Sequence, residues 1–299
     1  MISLSALVAL ADEYRSEMDL PVGPLRVGER VFDLDTRPVV MGCVNLSRDS
    51  TYRESVATST VSAIRKGRVL RAQGADLVDI GAESSTARAA RVDSAVQIAR
   101  LVPVIEELAA EGGLVSVETY QPEVARAGLA AGARLVNFTG GVGSESEIFD
   151  QVAEFGATIV LCHVAGADVR EITDVTVDAD PVPALLDHFA ARVDRARARG
   201  VDRIIIDPGL GFYYGNLVDP LTRARHQARV ILNTFRLRRL GLPVCHAMPH
   251  AFDLFEAEYR SAEGFFAVLA QLGGTSVFRT HEVPNVVAVL NALQTLDAE

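Results

Sequence analysis

Apolar positions along the chain repeat in two alternating patterns. From residue 38 onward, short continuous apolar runs alternate with longer segments in which apolar residues recur at helical spacing. Continuous runs of Val, Ile and Leu are typical of strands buried on both faces of a parallel sheet. The predicted strands are 39–45, 77–82, 114–119, 135–138, 158–163, 203–207, 244–247 and 276–281. The predicted helices are 55–73, 93–111, 122–131, 145–155, 182–199, 218–240, 262–273 and 284–296.

These elements form eight strand–helix units without an internal linker. The pattern predicts an α/β fold, a single (β/α)₈ TIM barrel, and the even spacing favours it over a doubly wound sheet. Residues 3–17 predict a leading helix and residues 25–32 a hairpin. We therefore expect an N-terminal helix and hairpin, 1–36, packed on a barrel, 37–299. The glycines expected to end helices are Gly74, Gly132, Gly156, Gly200, Gly241 and Gly273.

Polar side chains lie at the end of each predicted strand or just after it. The clearest case is the isoleucine run 204–206, which ends at Asp207 and is followed by Pro-Gly-Leu-Gly. Barrel enzymes place their sites at the rim formed by these strand ends, so the polar residues are expected to share one cavity. Polar loops without a ligand are the alternative. The set is Asn45, Glu83, Glu118, Asn137, His163, Asp207, His250, Arg279 and His281.

Composition narrows the range of partners. The 299 residues include 39 acidic and 29 basic ones, a net charge of −10 that argues against non-specific nucleic-acid binding. No apolar run reaches the roughly 18 residues of a membrane span, and residues 1–4 do not begin a secretion signal. Cys43, Cys162 and Cys245 lie in apolar runs without zinc-motif spacing, which predicts buried free thiols in a reducing cytoplasm. We expect a cytoplasmic protein with a small-molecule ligand and no membrane or nucleic-acid partner.

Several segments resemble the signatures of dihydropteroate synthases, in the same order and at matching spacing. MGCVNLSRDS at 41–50 resembles MGI(L/V)NxTPDSF, and IGAESST at 80–86 resembles IGGEST. VETY at 117–120, followed by PEVA at 122–125, is similar to VDTxxPEVA. Further matches lie at 137, 161–163, 207–212 and 278–283. The chain resembles a divergent member of this family, which implies a pterin-binding TIM barrel.

The family joins a hydroxymethyl-dihydropterin diphosphate to p-aminobenzoate in folate biosynthesis, usually with Mg²⁺. The resemblance implies that Asp207 accepts hydrogen bonds from the aminopyrimidine edge and that Arg279 and His281 bind phosphate. Asn45 would bind diphosphate or Mg²⁺. It also implies a homodimer. By this resemblance the catalytic residues are Asp207, His250 and Glu118, the substrate contacts also include Asn137, Val164, Thr86 and Phe212, and Arg88 joins the anion site.

The pterin side of this pattern departs from the family. Glu118 replaces an aspartate and is one methylene longer, and Asn137-Phe138 replaces an Asn-Asp pair. Met248-Pro249-His250 replaces Ser-Arg-Lys, so the lysine that contacts the pterin is absent, and Lys66 is the chain's only lysine. A charge-assisted hydrogen bond to a buried carbonyl is worth roughly 1.5–3 kcal/mol. The loss of this lysine is therefore expected to matter.

These departures leave three hypotheses open. The first is a dihydropteroate synthase-like transferase with a changed substrate, which joins a pterin-like heteroaromatic diphosphate or related anionic substrate to a nucleophile. The second is a genuine dihydropteroate synthase in which His250 replaces the lysine. The third is a non-catalytic paralogue that keeps the barrel to bind a ligand or partner. Because the anion-binding residues are kept while the ring-binding ones change together, the first hypothesis is favoured.

Three polar residues within or at the end of strands each have two interpretations. His163 is interpreted as a structural histidine rather than a general base. His246 faces either the barrel interior or the helix layer, and Asp79 is either a buried partner of another polar residue or part of the ring pocket. The loops 46–54 and 84–92 are candidate lids because they carry arginines.

Overall fold

The computed structural model describes residues 2–47, 49, 52–86, 89–143, 145–171, 173–175, 177–212 and 214–297. The N-terminal segment forms helix α1 (Leu4–Glu13) and an antiparallel hairpin of β1 (Leu25–Val27) and β2 (Arg30–Phe32). The parallel strands are β3 (Val39–Asn45), β4 (Leu77–Gly81), β5 (Leu114–Thr119), β6 (Leu135–Phe138), β7 (Thr158–Cys162), β8 (Ile204–Asp207), β9 (Cys245–Ala247) and β10 (Val277–Thr280). The remaining helices are α2 (Thr60–Ala72), α3 (Ser94–Ala110), α4 (Pro122–Ala130), α5 (Glu145–Glu154), α6 (Val182–Ala198), α7 (Pro220–Leu232), α8 (Thr234–Leu237), α9 (Phe252–Phe255), α10 (Ala262–Leu272) and α11 (Val283–Asp297).

The eight parallel strands pair in the order β8-β7-β6-β5-β4-β3-β10-β9. A parallel bridge between Ile206 and Val244 brings the two ends of this sheet together. There the Ile206 amide donates to the Pro243 carbonyl at 3.0 Å. The sheet is therefore a nearly closed barrel with helices between its strands. This confirms the predicted TIM barrel and excludes the doubly wound sheet.

Side chains inside the barrel change from apolar to polar along the strands. Successive side chains on a strand alternate in direction, so residues two apart face the same side. On β4 the side chains of Leu77 and Asp79 face the same side of the sheet, and on β8 those of Ile205 and Asp207 do so too. Apolar residues of the lower layer include Val39, Leu77, Leu135, Val160, Ile205 and Val277. The upper layer contains Asp79, Ser116, Asn137, Asp207 and Arg279.

The hairpin closes the lower end of the barrel. Leu25 and Val27 are buried in the same apolar cluster as the lower strand residues. Thr158 Oγ1 donates to the Arg26 carbonyl at 2.6 Å, which ties the hairpin to β7. Gly28 has φ +58°, a left-handed conformation that its turn requires and that favours glycine. On this basis we propose that the N-terminal helix and hairpin, 1–36, pack on the barrel 37–299 as one unit.

The structure differs from the predicted elements mainly at their ends and after β9. The predicted helix 218–240 is divided into α7, α8 and a 3₁₀ turn, Arg238–Leu240. Gly273 has φ −77°, and Gly274, with φ +79°, adopts the left-handed conformation in its place. The sequence did not predict α9 or the 3₁₀ segment Glu256–Ser261, which pack beside the site described below. None of the described helices combines the length and the hydropathy that a membrane-spanning segment requires.

Candidate active site

A cleft opens at the carboxyl ends of the barrel strands. Asp207 on β8 and Arg279 on β10 both line it, so the two residues face one common space. This convergence is what the predicted polar cavity requires. The predicted site residues that line the cleft are Asn45, Thr86, Glu118, Asn137, Asp207, Phe212, His250, Arg279 and His281.

Two predicted site residues are not placed in this lining. Val164 is buried in the inner apolar cluster with Cys162 and Val169. Arg88, predicted to bind the anion, lies outside the described residues. Arg91, from the same loop, donates to the Tyr120 hydroxyl at 2.9 Å and to Asp168 at 3.2 Å. The described part of this loop is therefore held by partners from the protein itself.

Arg279 lies between two carboxylates. Its Nε donates to Asp79 Oδ2 at 2.7 Å, and its Nη2 donates to Glu118 Oε2 at 2.7 Å. Asp79 also accepts hydrogen bonds from Ser116 Oγ at 2.5 Å and Asn137 Nδ2 at 3.0 Å. The open question about Asp79 is answered, because it is the buried partner of three polar side chains. The predicted phosphate-binding guanidinium thus neutralises two carboxylates of the protein.

The longer side chain of Glu118 is accommodated by a glycine on the neighbouring strand. Glu118 lies opposite Gly81 on β4, and a Cβ at Gly81 would lie only 2.9 Å from Glu118 Oε2. The missing side chain therefore leaves room for the longer carboxylate, which turns toward Arg279. Burial raises the pKa of Glu118 to about 7, with Arg279 opposing the shift and Asp79 adding to it.

Asp207 is the carboxylate of the opposite wall. It is 4% exposed, and its Oδ1 accepts the Gly209 amide hydrogen at 2.7 Å. Gly209 has φ +78°, so the turn after β8 requires glycine. Burial raises the pKa of Asp207 to about 6, with the Gly209 amide and Arg279 opposing the shift. Near neutral pH the side chain is an ionised acceptor for hydrogen-bond donors in the cleft.

The raised pKa of Asp207 predicts a pH-dependent effect of Asp207→Asn. A carboxyl whose folded-state pKa of about 6 exceeds the ordinary 3.8 opposes folding when ionised. This cost is full above pH 6 and disappears as the pH falls toward 4. We expect Asp207→Asn to raise the free energy of unfolding by on the order of 3 kcal/mol at pH 8 and by little near pH 4. Thermal unfolding across this range tests it, and a pH-independent difference would contradict it.

A second cluster lies just after the carboxyl ends of β9 and β10 and forms part of the cleft wall. His250 Nε2 lies 3.0 Å from His281 Nδ1, and both nitrogens face Glu263 Oε1, at 3.4 and 3.1 Å. Glu263 is the second residue of α10 and is fully buried. No sequence signal marks Glu263, because an acidic residue in a first helical turn is common and carries no distinguishing pattern. Burial lowers the pKa of His281 to about 4, so this predicted phosphate ligand is neutral near pH 7.

Tyr52 is a further cleft residue, and its position was not predicted from the sequence pattern. Its ring centroid lies 4.8 Å from those of His250 and His281, and its hydroxyl donates to Glu282 at 2.5 Å. Arg260, from the segment after α9, pairs with Glu282 at 2.8 Å. The predicted lid 46–54 therefore contributes a buried aromatic ring, packed between the histidines and the segment after β9. An isolated tyrosine in a loop offered no sequence signal for this position.

Several other predicted polar residues stabilise the fold. Glu83 accepts the Tyr120 hydroxyl at 2.6 Å and the Val92 amide at 3.0 Å, which anchors the loop after β4. Burial lowers the pKa of His163 to about 4, and its ring packs on His188 at 4.5 Å, in agreement with a structural role. His246 contacts Thr234 Oγ1 at 2.7 Å and so faces the helix layer. The three cysteines are buried and not in disulfides, as predicted.

Asn45 was the residue predicted to hold Mg²⁺. Its Nδ2 donates to Ser55 Oγ at 2.5 Å, and the side chain lines the cleft. Mg²⁺ prefers oxygen ligands, typically one or two carboxylates together with water and substrate phosphates. One amide oxygen fits such a metal only when a phosphorylated substrate supplies further oxygens. Asn45 therefore fits a substrate-borne Mg²⁺ better than a resident one.

A parallel barrel with an ionisable cleft at its carboxyl rim is the arrangement in which barrel enzymes place their active sites. The family described as pterin binding enzyme matches residues 41–281. The dihydropteroate synthase of Synechocystis is 33% identical over 283 residues, which cover 91% of this chain and 95% of the relative. The chain belongs to the pterin-binding enzyme family. Its dihydropteroate synthase relatives are transferases.

Two further comparisons bear on activity. The protein named inactive dihydropteroate synthase 2 from Mycobacterium tuberculosis is 33% identical over 278 residues, 87% of this chain and 83% of the relative. The structure of Xanthomonas albilineans dihydropteroate synthase with 4-aminobenzoic acid has a TM-score of 0.76 and 31% identity, with 92% and 98% of the two chains covered. The predicted resemblance is confirmed, and the similar proteins include both a synthase and one named inactive.

Proposed function

We propose that the protein is a dihydropteroate synthase-like transferase with a changed substrate, which binds a pterin-like heteroaromatic ring and has a weakened anion site. This proposal reverses the expectation from the sequence that the anion-binding residues keep their role. Asp207 is an ionised, nearly buried acceptor suited to the two N–H groups of an aminopyrimidine edge. Asn137 lines the same cleft and is oriented by its hydrogen bond to Asp79. These residues support binding of the ring.

The observation that carries the proposed change is the double ion pair of Arg279. With Asp79 and Glu118 on its guanidinium, Arg279 offers less attraction to a substrate phosphate than an arginine without such partners. His281, the other strand-end residue predicted to bind phosphate, is neutral near pH 7. We infer that the departing anion depends on Mg²⁺ carried with the substrate, near Asn45. The natural substrate then differs from the family's in its anionic group or its nucleophile.

Two alternatives have specific support. A genuine dihydropteroate synthase is favoured by the 33% identity to the Synechocystis enzyme. A non-catalytic paralogue is favoured by the equal identity to the inactive protein of M. tuberculosis. The predicted homodimer and the predicted cytoplasmic location stay predictions.

Turnover of dihydropterin diphosphate with 4-aminobenzoate, at saturating Mg²⁺, tests the proposal. We expect the wild type to be about 10–150-fold slower than the Synechocystis enzyme, the factor that one lost charge-assisted hydrogen bond is worth. His250→Lys should recover part of this rate. His226→Lys, which adds the same charge outside the cleft lining, should not.

Each outcome separates the hypotheses. Turnover equal to that of the relative would identify a genuine synthase and overturn the changed substrate. Pterin binding without turnover, unchanged by His250→Lys, would favour the non-catalytic paralogue. Failure to bind a pterin at all would overturn the proposed role of Asp207.

A further inference from the structure

We propose that His250, Glu263 and His281 form a binding site for a divalent transition metal of the zinc class, in the wall of the cleft. The three ligand atoms are His250 Nε2, His281 Nδ1 and Glu263 Oε1. Their separations are 3.0 Å between the nitrogens, and 3.4 and 3.1 Å from the carboxylate oxygen to His250 and His281. All three lie within 4.8 Å of one another. This proposal does not depend on the identity of the substrate.

The size of this triangle matches the coordination sphere of zinc. Zinc binds imidazole nitrogen and carboxylate oxygen at about 2.0–2.1 Å, so two ligands of a tetrahedral site lie about 3.3 Å apart. The three observed separations lie close to this value. A cation at the centre of the three atoms would therefore need little movement of His250, His281 or Glu263.

Hydrogen bonds alone do not satisfy three atoms that all face one another. A neutral imidazole carries one N–H, and an ionised carboxylate is only an acceptor. If both histidine nitrogens carry hydrogen, the contact at 3.0 Å joins two donors. If only one of the two nitrogens carries hydrogen, the other nitrogen and the carboxylate oxygen are both acceptors and face each other without a hydrogen between them. One cation accepts all three lone pairs at once, which removes the conflict.

Hydrogen bonds orient the Glu263 carboxylate, as they usually orient a carboxylate that binds a metal. Its second oxygen, Oε2, accepts hydrogen bonds from Thr280 Oγ1 and from the backbone amides of His281, at 2.9 Å, and Glu282, at 3.1 Å. These contacts orient Oε1 toward the histidines. Such outer-sphere hydrogen bonds orient ligands and tune the affinity of metal sites.

The proposed metal site is accessible from the cleft in which the substrate would bind. His250 and His281 line the cleft, whereas Glu263 lies behind them with 0% exposure. Three protein ligands of this kind leave a fourth position open, as in catalytic zinc sites with two histidines and a glutamate. Because two of the three ligands line the cleft, a water or substrate atom in the cleft is the natural fourth ligand. A bound cation would place positive charge at His250, where the family's lysine is missing.

Metal binding to the full-length, chelator-treated protein tests this inference. We expect the wild type to bind about one equivalent of Zn²⁺ in calorimetry, with a rise in Tm. Co²⁺ should give the visible absorption of a tetrahedral complex, and millimolar Mg²⁺ should not displace either ion, since Mg²⁺ prefers oxygen ligands. His250→Gln and His281→Gln should each weaken Zn²⁺ binding by more than about 100-fold, because even outer-sphere partners are worth roughly 10–100-fold.

His250→Gln is the decisive variant, because the side chain of His250 is 25% exposed and its loss threatens folding least. Circular dichroism verifies its fold, and His226→Gln is the matched control that should bind Zn²⁺ like the wild type. No stoichiometric Zn²⁺ or Co²⁺ binding by the wild type would overturn the inference, and so would unchanged affinity in folded His250→Gln. Pterin binding measured on the same sample separates this result from the proposed function: pterin bound without zinc rejects only the metal site.

Discussion

Replacing Asp207 by asparagine is expected to lower the affinity for 6-hydroxymethylpterin by at least about 100-fold at pH 8. The carboxylate accepts two hydrogen bonds from the aminopyrimidine edge in the proposed complex, and each charge-assisted bond contributes about 1.5–3 kcal/mol. The asparagine amide offers one acceptor and presents a donor to the second N–H. Titration of pterin fluorescence on both proteins measures the change.

The same carboxylate predicts the pH dependence of binding in the wild type. Because the pKa of Asp207 is raised to about 6, affinity should fall as the pH decreases through 6 and the acceptor is protonated. Ligand affinity and the stability contribution of Asp207 therefore change in opposite directions with pH. Asp207→Asn is expected to be the more stable protein at pH 8, so its loss of binding would not result from unfolding. Asp150→Asn, at an exposed ion pair, is the control and should bind like the wild type. Equal affinities of Asp207→Asn and wild type would remove the proposed ring site.

Replacing Arg279 by alanine is expected to destabilise the barrel by about 3–5 kcal/mol, because it leaves two carboxylates inside the barrel without their cation. The side chains of Asp79 and Glu118 are 0% and 13% exposed, so water compensates little for the lost guanidinium. Asp79 would keep its hydrogen bonds from Ser116 and Asn137. Thermal or urea-induced unfolding at pH 8 measures the loss.

Two further variants separate an unpaired buried charge from simple loss of packing. Arg199→Ala removes the arginine of an exposed pair, whose side chains are 42% and 58% exposed, and should change stability by no more than about 1 kcal/mol. Without Arg279, Glu118 must either stay charged without its cation or take up a proton at pH 8, so adding Glu118→Gln to Arg279→Ala removes that cost and should recover part of the loss. If the double variant is no more stable than Arg279→Ala, unpaired charge is not the cause.

The fold was predictable because its signals are local. Predicted and observed strands coincide for Val39–Asn45, Leu114–Thr119 and Leu135–Phe138, since a continuous apolar run reports burial on both faces. The end of α7 at Leu232 was not predicted, because the apolar spacing continues through Asn233. There the Asn233 side chain donates a hydrogen bond to the Arg229 carbonyl at 2.9 Å. Such a contact is not visible in a periodic pattern.

The candidate site was predictable in position but only partly in its chemistry. Asp207, Asn137 and Arg279 line one cleft because each ends, or nearly ends, a parallel strand. Glu263 and Tyr52 escaped prediction because they come from a helix start and a loop far along the chain from their partners. The partner of a side chain depends on distance in space, which spacing along the chain does not report.

By itself, the amino-acid sequence determined the barrel, its polar rim and the family, because alternating apolar segments and ordered motifs are properties of neighbouring residues. Only the tertiary structure decided that Arg279 binds Asp79 and Glu118, and that His250 and His281 meet at Glu263. Charge pairing in a barrel joins strands that are remote in sequence, so the same residues allow several pairings until the closed sheet selects one.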